Sequence, residues 1–496
     1  MTIFADLLNS FPWIALGVCV GIAVGAVPGL TGAMVIALAV PLTFTMDEAD
    51  ALALLVSLYT GSVSGGLISA TLLKIPGTPA SMITILDAHP MTESGHAGRA
   101  LGIGITASLF GGLFSGLALV LLAKPVAAWS IYLGPYDLFS LVFVALIFII
   151  AVAEPGRVGM GKGILAGCIG VGISLPGVHP ATGEIRYTFG VADLNDGFNL
   201  LPVLIGLFAF SQAWKDLTST PDKFRERVSK PVRITLPFIL WLKQLPNLIR
   251  SSAIGTFVGI LPGIGANVGS VISYGAAKHL SSEPERFGKG SEEGLIASES
   301  ANNATVGGAL IPLISLGIPG SVIDAILIGA FVIHGLQPGP LLFQNHPETV
   351  QGLLGAYLIS NVIMALVMLA GVRWIARLGN VSKVRLAPII LLCCIAGSYC
   401  TGNRLFDVWI MVSFGVLGIF LEKFRIPPAP LVIGFVLAPL AEENLAAGLM
   451  IHGGSYTPLF TTPFPLICFS VAALLIILSV KALTKTAPPA EADRAG

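Results

Sequence analysis

Four Pro-Gly pairs lie inside apolar stretches of the chain, at residues 28–29, 76–77, 262–263 and 319–320. A proline inside a helix removes one hydrogen bond and clashes with the preceding turn, at a cost of about 3 kcal/mol. In lipid such a break survives only where it faces protein or a water-filled cavity. The half-helix that follows presents free N–H groups and a positive dipole end, which suit a carboxylate, while carbonyls at a helix end suit Na⁺.

Hydroxyl, amide and glycine residues follow each break closely and complete the predicted site. Such side chains can cap a new half-helix or contact a ligand oxygen. The alternative is that the four segments are kinks and caps without a ligand, but four breaks in register favour a binding site. The predicted substrate and ion contacts at the breaks are Pro28, Gly29, Thr31, Gly32, Pro76, Gly77, Thr78, Ser81, Pro262, Gly263, Gly265, Asn267, Pro319, Gly320 and Ser321.

The breaks belong to an internal repeat. The glycines and proline of residues 21–29 recur 234 positions later at 255–263, and the phrase at 73–78 recurs 243 positions later at 316–321. The nine extra residues fit the charged stretch 278–293, which has no early counterpart. Two halves with breaks at corresponding places indicate a duplicated membrane fold, and paired breaks are a pointer to a transporter's binding site.

Two adjacent asparagines, Asn302 and Asn303, lie in an apolar context just before the last break. Amides are costly inside a membrane unless they bond internally or line a pathway. We therefore assign both to the predicted site, with the alternative that they hold neighbouring helices together. The nearby Glu299 either pairs with a base or stays in a loop.

Lys74 is a single cation in an apolar run, two positions before the second break. It either attracts a substrate carboxylate or extends to the membrane interface, and it is included among the predicted contacts. The polar residues that follow are expected to form a solvated loop. They are Asp87, His89, Glu93, His96 and Arg99.

The composition excludes a soluble protein. Of 496 residues, 54% are hydrophobic and 11% charged, against roughly 25% charged in a soluble domain. Lys+Arg and Asp+Glu both number 27, so no net charge indicates a nucleic-acid partner. The six cysteines and the histidines show no metal-ligand spacing, and the spans hold no nucleophile with its base. We expect neither an enzyme nor a cofactor beyond a coupling ion.

The apolar segments predict an all-α polytopic membrane protein with about twelve transmembrane helices in two related halves. Clear candidates cover residues 100–123, 130–153, 350–372, 405–421 and 464–483. The predicted organisation is a first membrane repeat over 1–214, a basic linker over 215–250, a second repeat over 251–485 and a disordered tail over 486–496. The linker and the basic loop at 373–385 should face the cytoplasm. Whether the repeats are inverted or parallel is left open.

Two of these segments carry a resemblance to a known family. Residues 73–99 read LKIPGTPASMITILDAHPMTESGHAGR, and residues 287–321 read FGKGSEEGLIASESANNATVGGALIPLISLGIPGS. They resemble the large membrane subunit of the tripartite tricarboxylate transporter family, the TctA type, and the likeness runs from Gly17 to about Ser479. The chain departs from it at Lys74, where asparagine is expected, and at Ser298, where proline is expected. Both lie beside site segments, which leaves room for a substrate other than citrate.

The resemblance implies a multi-pass protein of the bacterial inner membrane with two partners. One is a small membrane subunit with about four helices, and the other is a periplasmic binding protein that delivers the substrate. Uptake of citrate or related carboxylates would be driven by a Na⁺ or proton gradient. In agreement with transport that does not use ATP, the chain has no phosphate-binding loop of the G-x-x-x-x-G-K-[ST] type. The remaining alternatives are a carrier that acts without a binding protein and a passive channel.

Overall fold

The structure, a computed structural model, describes residues 2–27, 29–78, 81–152, 157–179, 182–218, 234–236, 238–262, 265–378 and 383–485. These residues are helical over most of their length, and the only strands among them are two-residue segments, β1 (Gly177–Val178) and β2 (Ile185–Arg186). The predicted fold class, a nearly all-α membrane protein, is therefore confirmed. Residues 219–233 and 237 of the predicted linker, and the whole of the predicted tail, lie outside the described residues.

The larger of two compact units comprises residues 1–130 and 199–419. A short π-helical turn at 205–210 joins α8 to α9, and α18 extends past the end of this unit. Its helices are α1 (Thr2–Ala26), α2 (Gly32–Ala39), α3 (Glu48–Leu73), α4 (Met82–Glu93), α5 (Ala97–Ser130), α8 (Leu200–Leu204), α9 (Ser211–Thr218), α10 (Phe238–Lys243), α11 (Leu245–Ile260), α12 (Gly265–Leu280), α13 (Glu292–Leu316), α14 (Val322–Ile333), α15 (Pro340–Asn345), α16 (Pro347–Leu378), α17 (Lys383–Gly402) and α18 (Leu405–Lys423).

The smaller unit comprises residues 131–198 and 420–496. In it α19 packs against α6 and α7, and α21 packs against α6. Arg186, on the second strand of the hairpin, donates two hydrogen bonds to Glu442 on α19. The helices of this unit are α6 (Pro135–Val152), α7 (Arg157–Ser174), α19 (Pro428–Ile451), α20 (Thr457–Thr461) and α21 (Pro463–Lys485).

Eight helical stretches among the described residues are long and apolar enough to cross a membrane. Three of the five clear candidates fall among them, within α5, α16 and α18, whereas α6 and α21 belong to a group of five shorter apolar helices. A multi-pass membrane protein is thus supported by length and composition, and the count of twelve spans stays a prediction. The division into halves at 215–250 also stays a prediction, although each compact unit draws one segment from each predicted half.

The two predicted repeats share one mode of helix packing. Gly21 and Gly25 on α1 lie against the backbone carbonyls of Leu58 and Ser62 on α3. At the shifts of 234 and 243, Gly255 and Gly259 on α11 lie against the carbonyls of Ala301 and Thr305 on α13. The reverse contacts agree as well, since Gly65 meets Ile22 on α1 and Gly308 meets Thr256 on α11. Three corresponding glycine positions therefore set the helix separation in both predicted repeats.

These contacts leave no room for side chains. A Cβ added at Gly21 would lie 2.5 Å from the carbonyl oxygen of Leu58, closer than real Cβ atoms approach. Small residues at regular spacing let helix backbones come together, which is the usual means of helix association in membranes. The α3 and α13 helices, packed this way, are buried along almost their whole length.

We expect the substitution Gly255→Ala to lower the free energy of unfolding by about 1–3 kcal/mol, because the new methyl group overpacks the contact with Ala301. The matched control is Gly275→Ala on α12, where nothing lies within 4 Å of the added atom. That change should be neutral or stabilising by up to about 1 kcal/mol, since alanine favours a helix over glycine. Thermal unfolding of the purified variants in detergent measures both, and equal stability of the two would contradict the packing argument.

Candidate functional site

All four Pro-Gly segments interrupt helices. The first separates α1 from α2, the second α3 from α4, the third α11 from α12, and the fourth α13 from α14. Pro28 and Gly263 lie outside the described residues. Gly29 has a positive φ of 91°, a conformation that glycine adopts without strain. The breaks are therefore real features of the backbone, while the binding role of their residues stays a prediction.

Within each repeat the two breaks touch. Gly77, in the second break, lies against the carbonyl oxygen of Gly25 at the end of α1. Gly320, in the fourth break, lies in the same way against the carbonyl oxygen of Gly259 at the end of α11, where an added Cβ would sit 2.9 Å away. The neighbouring prolines, Pro76 and Pro319, precede these close contacts. Glycine is needed here because the backbones approach too closely for any side chain.

The α3 helix connects the first break to the fourth. Gly32, at the start of α2, lies against the hydroxyl of Ser62 on α3 and against Ile323 on α14. The hydroxyl oxygens of Tyr59 on α3 and Ser321 in the fourth break are 3.2 Å apart. Breaks from both predicted repeats thus lie next to one buried helix.

Two of the predicted caps form. The Thr31 hydroxyl accepts a hydrogen bond from the Met34 N–H at the start of α2, and Ser321 accepts one from the Asp324 N–H at the start of α14. Gly265 is the first residue of α12, and Asn267 lies within that helix with its side chain exposed. Pro262 directly precedes this third break and is half-buried.

Ser81 does not cap α4, and its side chain instead bonds back to the backbone of Thr78 within the second break. Its hydroxyl accepts a hydrogen bond from the Thr78 N–H at 3.2 Å and donates one to the Thr78 carbonyl at 2.8 Å. Gly66 on α3 makes room for this turn, because an added Cβ would lie 2.8 Å from the Thr78 hydroxyl. That hydroxyl oxygen is buried and has no hydrogen-bond partner among the described residues.

The two asparagines on α13 behave differently. Asn303 accepts a hydrogen bond of 2.5 Å from Ser64 on α3 and donates one of 3.1 Å to the Glu299 carbonyl, so it joins two helices. Asn302 is fully buried, and neither atom of its amide has a hydrogen-bond partner within the described part of the chain. Nearly all buried polar atoms are paired, so an unpaired amide marks a position where a ligand or water is needed.

Lys74 extends away from the break. Its side chain is 64% exposed, and its ammonium lies 3.8 Å from the carboxylate of Glu93, which is 61% exposed. The backbone at Lys74 is left-handed, with φ 56°, as it is at the corresponding residue of the second repeat, Gly317, with φ 71°. The predicted contact of Lys74 with a substrate carboxylate stays a prediction.

The expectation of a solvated loop after the second break is wrong, because Glu93 ends α4 and Arg99 lies on α5, and only His96 of the five residues is in a loop. Asp87 and His89 lie on α4 and are buried, and only residues 94–96 separate α4 from α5. The role of Asp87 was missed because a short polar stretch between two apolar segments is typical of a loop. The spacing gave no signal for Asp87, because positions two apart, such as 87 and 89, lie on different faces of a helix.

Asp87 holds the segment before α13 against α4. One carboxylate oxygen accepts hydrogen bonds from the backbone N–H groups of Gly288, Gly290 and Ser291, at 2.9, 3.0 and 2.7 Å. The other oxygen accepts a hydrogen bond of 2.9 Å from the hydroxyl of Tyr274 on α12. A single carboxylate therefore connects the first repeat to the segment that the second repeat has in addition.

A cleft of about 620 Å³ lies beside this contact, between the adjoining ends of α4 and α5 and the segment 281–293. Its lining carries both signs of charge and includes an ion pair between Arg99 and Glu292. None of the described residues at the four breaks lines it. We therefore take the breaks, and not this mixed-charge cleft, as the candidate substrate site.

Glu299 is fully buried on α13, and no base pairs with it among the described residues. Its two carboxylate oxygens accept hydrogen bonds from the hydroxyls of Thr84 on α4 and Ser108 on α5, the latter at 2.9 Å. From the sequence we expected Glu299 either to pair with a basic side chain or to lie in a loop. Neither alternative was right, because two hydroxyls from distant segments satisfy the carboxyl instead.

Comparison with known proteins agrees with this architecture. Residues 11–433 match the model of the tripartite tricarboxylate transporter TctA family. The chain belongs to this family. It is similar to two uncharacterized proteins of Agrobacterium vitis. One, of 52.8 kDa and encoded in the TAR-I ttuC' 3' region, is 31% identical over 94% of this chain and 92% of its own length. The other, from the TAR-II ttuC' 3' region, is 34% identical over 46% of this chain and 93% of its own length.

The TctA resemblance that the sequence motifs carried is confirmed, and the structure explains its two departures locally. Lys74 occupies a left-handed position, which glycine and asparagine adopt most easily, so the asparagine expected there has a conformational reason. Ser298 lies inside α13, where its hydroxyl bonds to the Leu295 carbonyl and its own carbonyl accepts a hydrogen bond from Ser270. Both departures therefore concern helix geometry.

We expect Lys74→Gly to stabilise the TctA-family protein by about 1 kcal/mol, because glycine adopts the left-handed conformation without the clash of a Cβ. Lys74→Ala is the control, since it removes the same charge but keeps the Cβ and should bring no gain. Melting temperatures in detergent should separate the two by roughly 1–2 °C. A glycine variant no more stable than the alanine variant would contradict this account.

We expect Asp87→Ala to destabilise the protein by about 3 kcal/mol, because three backbone donors and a tyrosine hydroxyl lose a charged acceptor. The freed segment should then be cut faster by trypsin after Arg286 and Lys289. The control is Glu93→Ala on the same helix, whose carboxylate is exposed and accepts no backbone hydrogen bond in the described structure. Equal cleavage rates in the two variants would show that Asp87 does not hold the segment.

Proposed function

We propose that this TctA-family protein is the large membrane subunit of a secondary transporter for small di- or tricarboxylates in the bacterial inner membrane. A Na⁺ or proton gradient drives uptake. A periplasmic solute-binding protein delivers the substrate, and a small four-helix membrane subunit completes the complex. The observation that supports the proposal is that breaks from both repeats lie against one buried helix, α3, in a member of a transporter family.

The charges near the breaks explain how a carboxylate can be bound. The five helices α1, α2, α3, α13 and α14 contain no Lys, Arg or His. A substrate with two or three negative charges must therefore use backbone N–H groups at the starts of half-helices, such as those after Thr31 and Ser321, and the hydroxyl and amide side chains. Cations bound together with the substrate supply the remaining compensation.

Alternating access follows from the same arrangement. In transporters built from repeats, the repeats or bundles move against each other around a fixed site. Here α3 of the first repeat touches the fourth break, in the second repeat, through Tyr59 and Ser321. Movement of one repeat relative to the other would open or close the site between its two faces.

Asn302 offers a direct test of the site. We expect Asn302→Ala to lower the apparent affinity for substrate or coupling ion by about 10-fold or more, since a hydrogen bond to a charged group is worth about 1.5–3 kcal/mol. The fold should be kept, because the amide has no partner to lose. Ser57→Ala is the matched control. Its buried hydroxyl also lacks a partner in the described structure, but it lies in the contact of α3 with Gly17 on α1.

The measurement is uptake of radiolabelled carboxylates into proteoliposomes that contain the complete complex, with an imposed Na⁺ or proton gradient. Accumulation that requires both the gradient and the binding protein supports the tripartite function. Accumulation without the binding protein would indicate a carrier that acts alone, and equilibration without accumulation would indicate a channel. If Asn302→Ala and Ser57→Ala behave alike in uptake, Asn302 does not contact the substrate or the coupling ion.

A further inference from the structure

Asp324 is a buried acid that has no role in the function proposed above. It lies in the first turn of α14, directly after the fourth break, and its side chain is 0% exposed. Its backbone N–H is bonded to the Ser321 hydroxyl, which in turn lies 3.2 Å from the hydroxyl of Tyr59. Neither carboxylate oxygen makes a hydrogen bond to a described residue, and the polar groups beside them are the hydroxyl and N–H of Ser321 and the N–H of Gly320.

No basic side chain faces this carboxylate from the helices packed on α14. Those neighbours are α2, α3, α8, α13 and the short helical turn Val40–Thr45, and none of them contains Lys, Arg or His. His334, just past the end of α14, is hydrogen-bonded to Thr43. Burial also lowers the pKa of its imidazole, which disfavours the charged form of His334.

The acids on the same helices pair elsewhere. Glu299 on α13 accepts hydrogen bonds from two hydroxyls, Glu48 on α3 lies near His346, and Asp50 on α3 accepts one from Ser10. Glu292 and Glu293, in the first turn of α13, bond to Arg99 and Gln244. Tyr59 is the remaining titratable group in this region, and its hydroxyl oxygen lies 3.2 Å from that of Ser321.

A carboxylate in this position cannot remain an unpaired anion. Transfer of a lone charge from water to an apolar interior is too costly, so the group binds a proton or another cation. The positive end of the α14 dipole offers only part of an elementary charge. The oxygens of Ser321 and Tyr59 lie close by, and oxygens are the ligands that Na⁺ prefers.

The first repeat shows that the fold does not require an acid here. At the shift of 243, Asp324 corresponds to Ser81, and Ser321 corresponds to Thr78. Ser81 closes its own break with two hydrogen bonds to Thr78. A neutral hydroxyl thus satisfies the first repeat internally, whereas the second repeat has an acid that is left without a partner.

We propose that Asp324 binds the coupling cation of this transporter, a proton or Na⁺, with the hydroxyl oxygens of Ser321 and Tyr59 beside it. This inference rests on the proposed function, in which substrate and cation are taken up together. Because Tyr59 belongs to α3 and Asp324 to α14, the bound cation bridges the two predicted repeats next to the fourth break. Cation binding next to the fourth break is thereby coupled to the movement of one predicted repeat against the other.

The first experiment measures cation binding by the purified chain and needs no substrate. Melting temperatures are recorded over a NaCl series balanced with choline chloride at fixed pH, and over a pH series without Na⁺. The wild-type protein should become more stable with added Na⁺ or on acidification. Asp324→Asn should lose that response, and Glu299→Gln, a matched buried acid that already has partners, should keep it.

The two series distinguish the cation. A response to NaCl that Asp324→Asn loses identifies Na⁺, and a response to acidification that it loses identifies the proton. If Asp324→Asn responds as the wild type does in both series, the proposal is wrong. If Glu299→Gln loses the response and Asp324→Asn keeps it, the cation site is at Glu299 and the proposal is again wrong. Should Asp324→Asn fail to fold, Asp324→Ser, which copies the first repeat, is used instead.

The second experiment is gradient-driven uptake by the complete complex in proteoliposomes. Asp324→Asn should accumulate at least 10-fold less substrate than the wild type, while Glu299→Gln stays within a few-fold. If Asp324→Asn accumulates as much substrate as the wild type, the proposed role of Asp324 is wrong and the proposed function stands. If the wild type accumulates no carboxylate at all, the proposed function fails, and the melting experiment still decides whether Asp324 binds a cation.

Discussion

A chain that leaves the helical conformation inside a membrane exposes N–H and C=O groups that lipid cannot satisfy. This constraint shapes the protein at each Pro-Gly break. At the end of α13, Gly317 in a left-handed conformation bonds back to the Leu313 carbonyl, and the N–H of Ile318 bonds to the Pro312 carbonyl at 3.3 Å. Ser321 then caps α14. The break is possible because nearly every group it frees finds a partner within a few residues.

Close packing supplies the rest of the protection from lipid. Glycines on α1 and α11 let α3 and α13 approach until backbone meets backbone, and they do so at corresponding positions in the two repeats. The buried surfaces of α3 and α13 can then carry hydroxyls and amides, as in the bond between Ser64 and Asn303. Polar residues that would be costly beside lipid are stable here because other helices surround them.

Differences between the repeats are more informative about function than their similarities. The glycine contacts and the paired breaks recur, so they belong to the common scaffold. Three corresponding pairs differ in chemistry: Tyr59 and Asn302, Thr60 and Asn303, and Ser81 and Asp324. In two of them the residue of the second repeat, Asn302 or Asp324, is buried with unpaired atoms. The scaffold thus positions groups that its own folding does not satisfy.

The sequence by itself determined the membrane class, the four breaks and the family, because these depend on composition and local spacing. It also predicted the caps at Thr31 and Ser321, which act within three residues. Only the tertiary structure decided that Asp87 clamps a distant segment, that Lys74 points outward and that Asp324 has no partner. Those facts depend on which segments become neighbours in the folded chain, for Asp87 across about 200 residues, and local patterns of residue type hold no information about that packing.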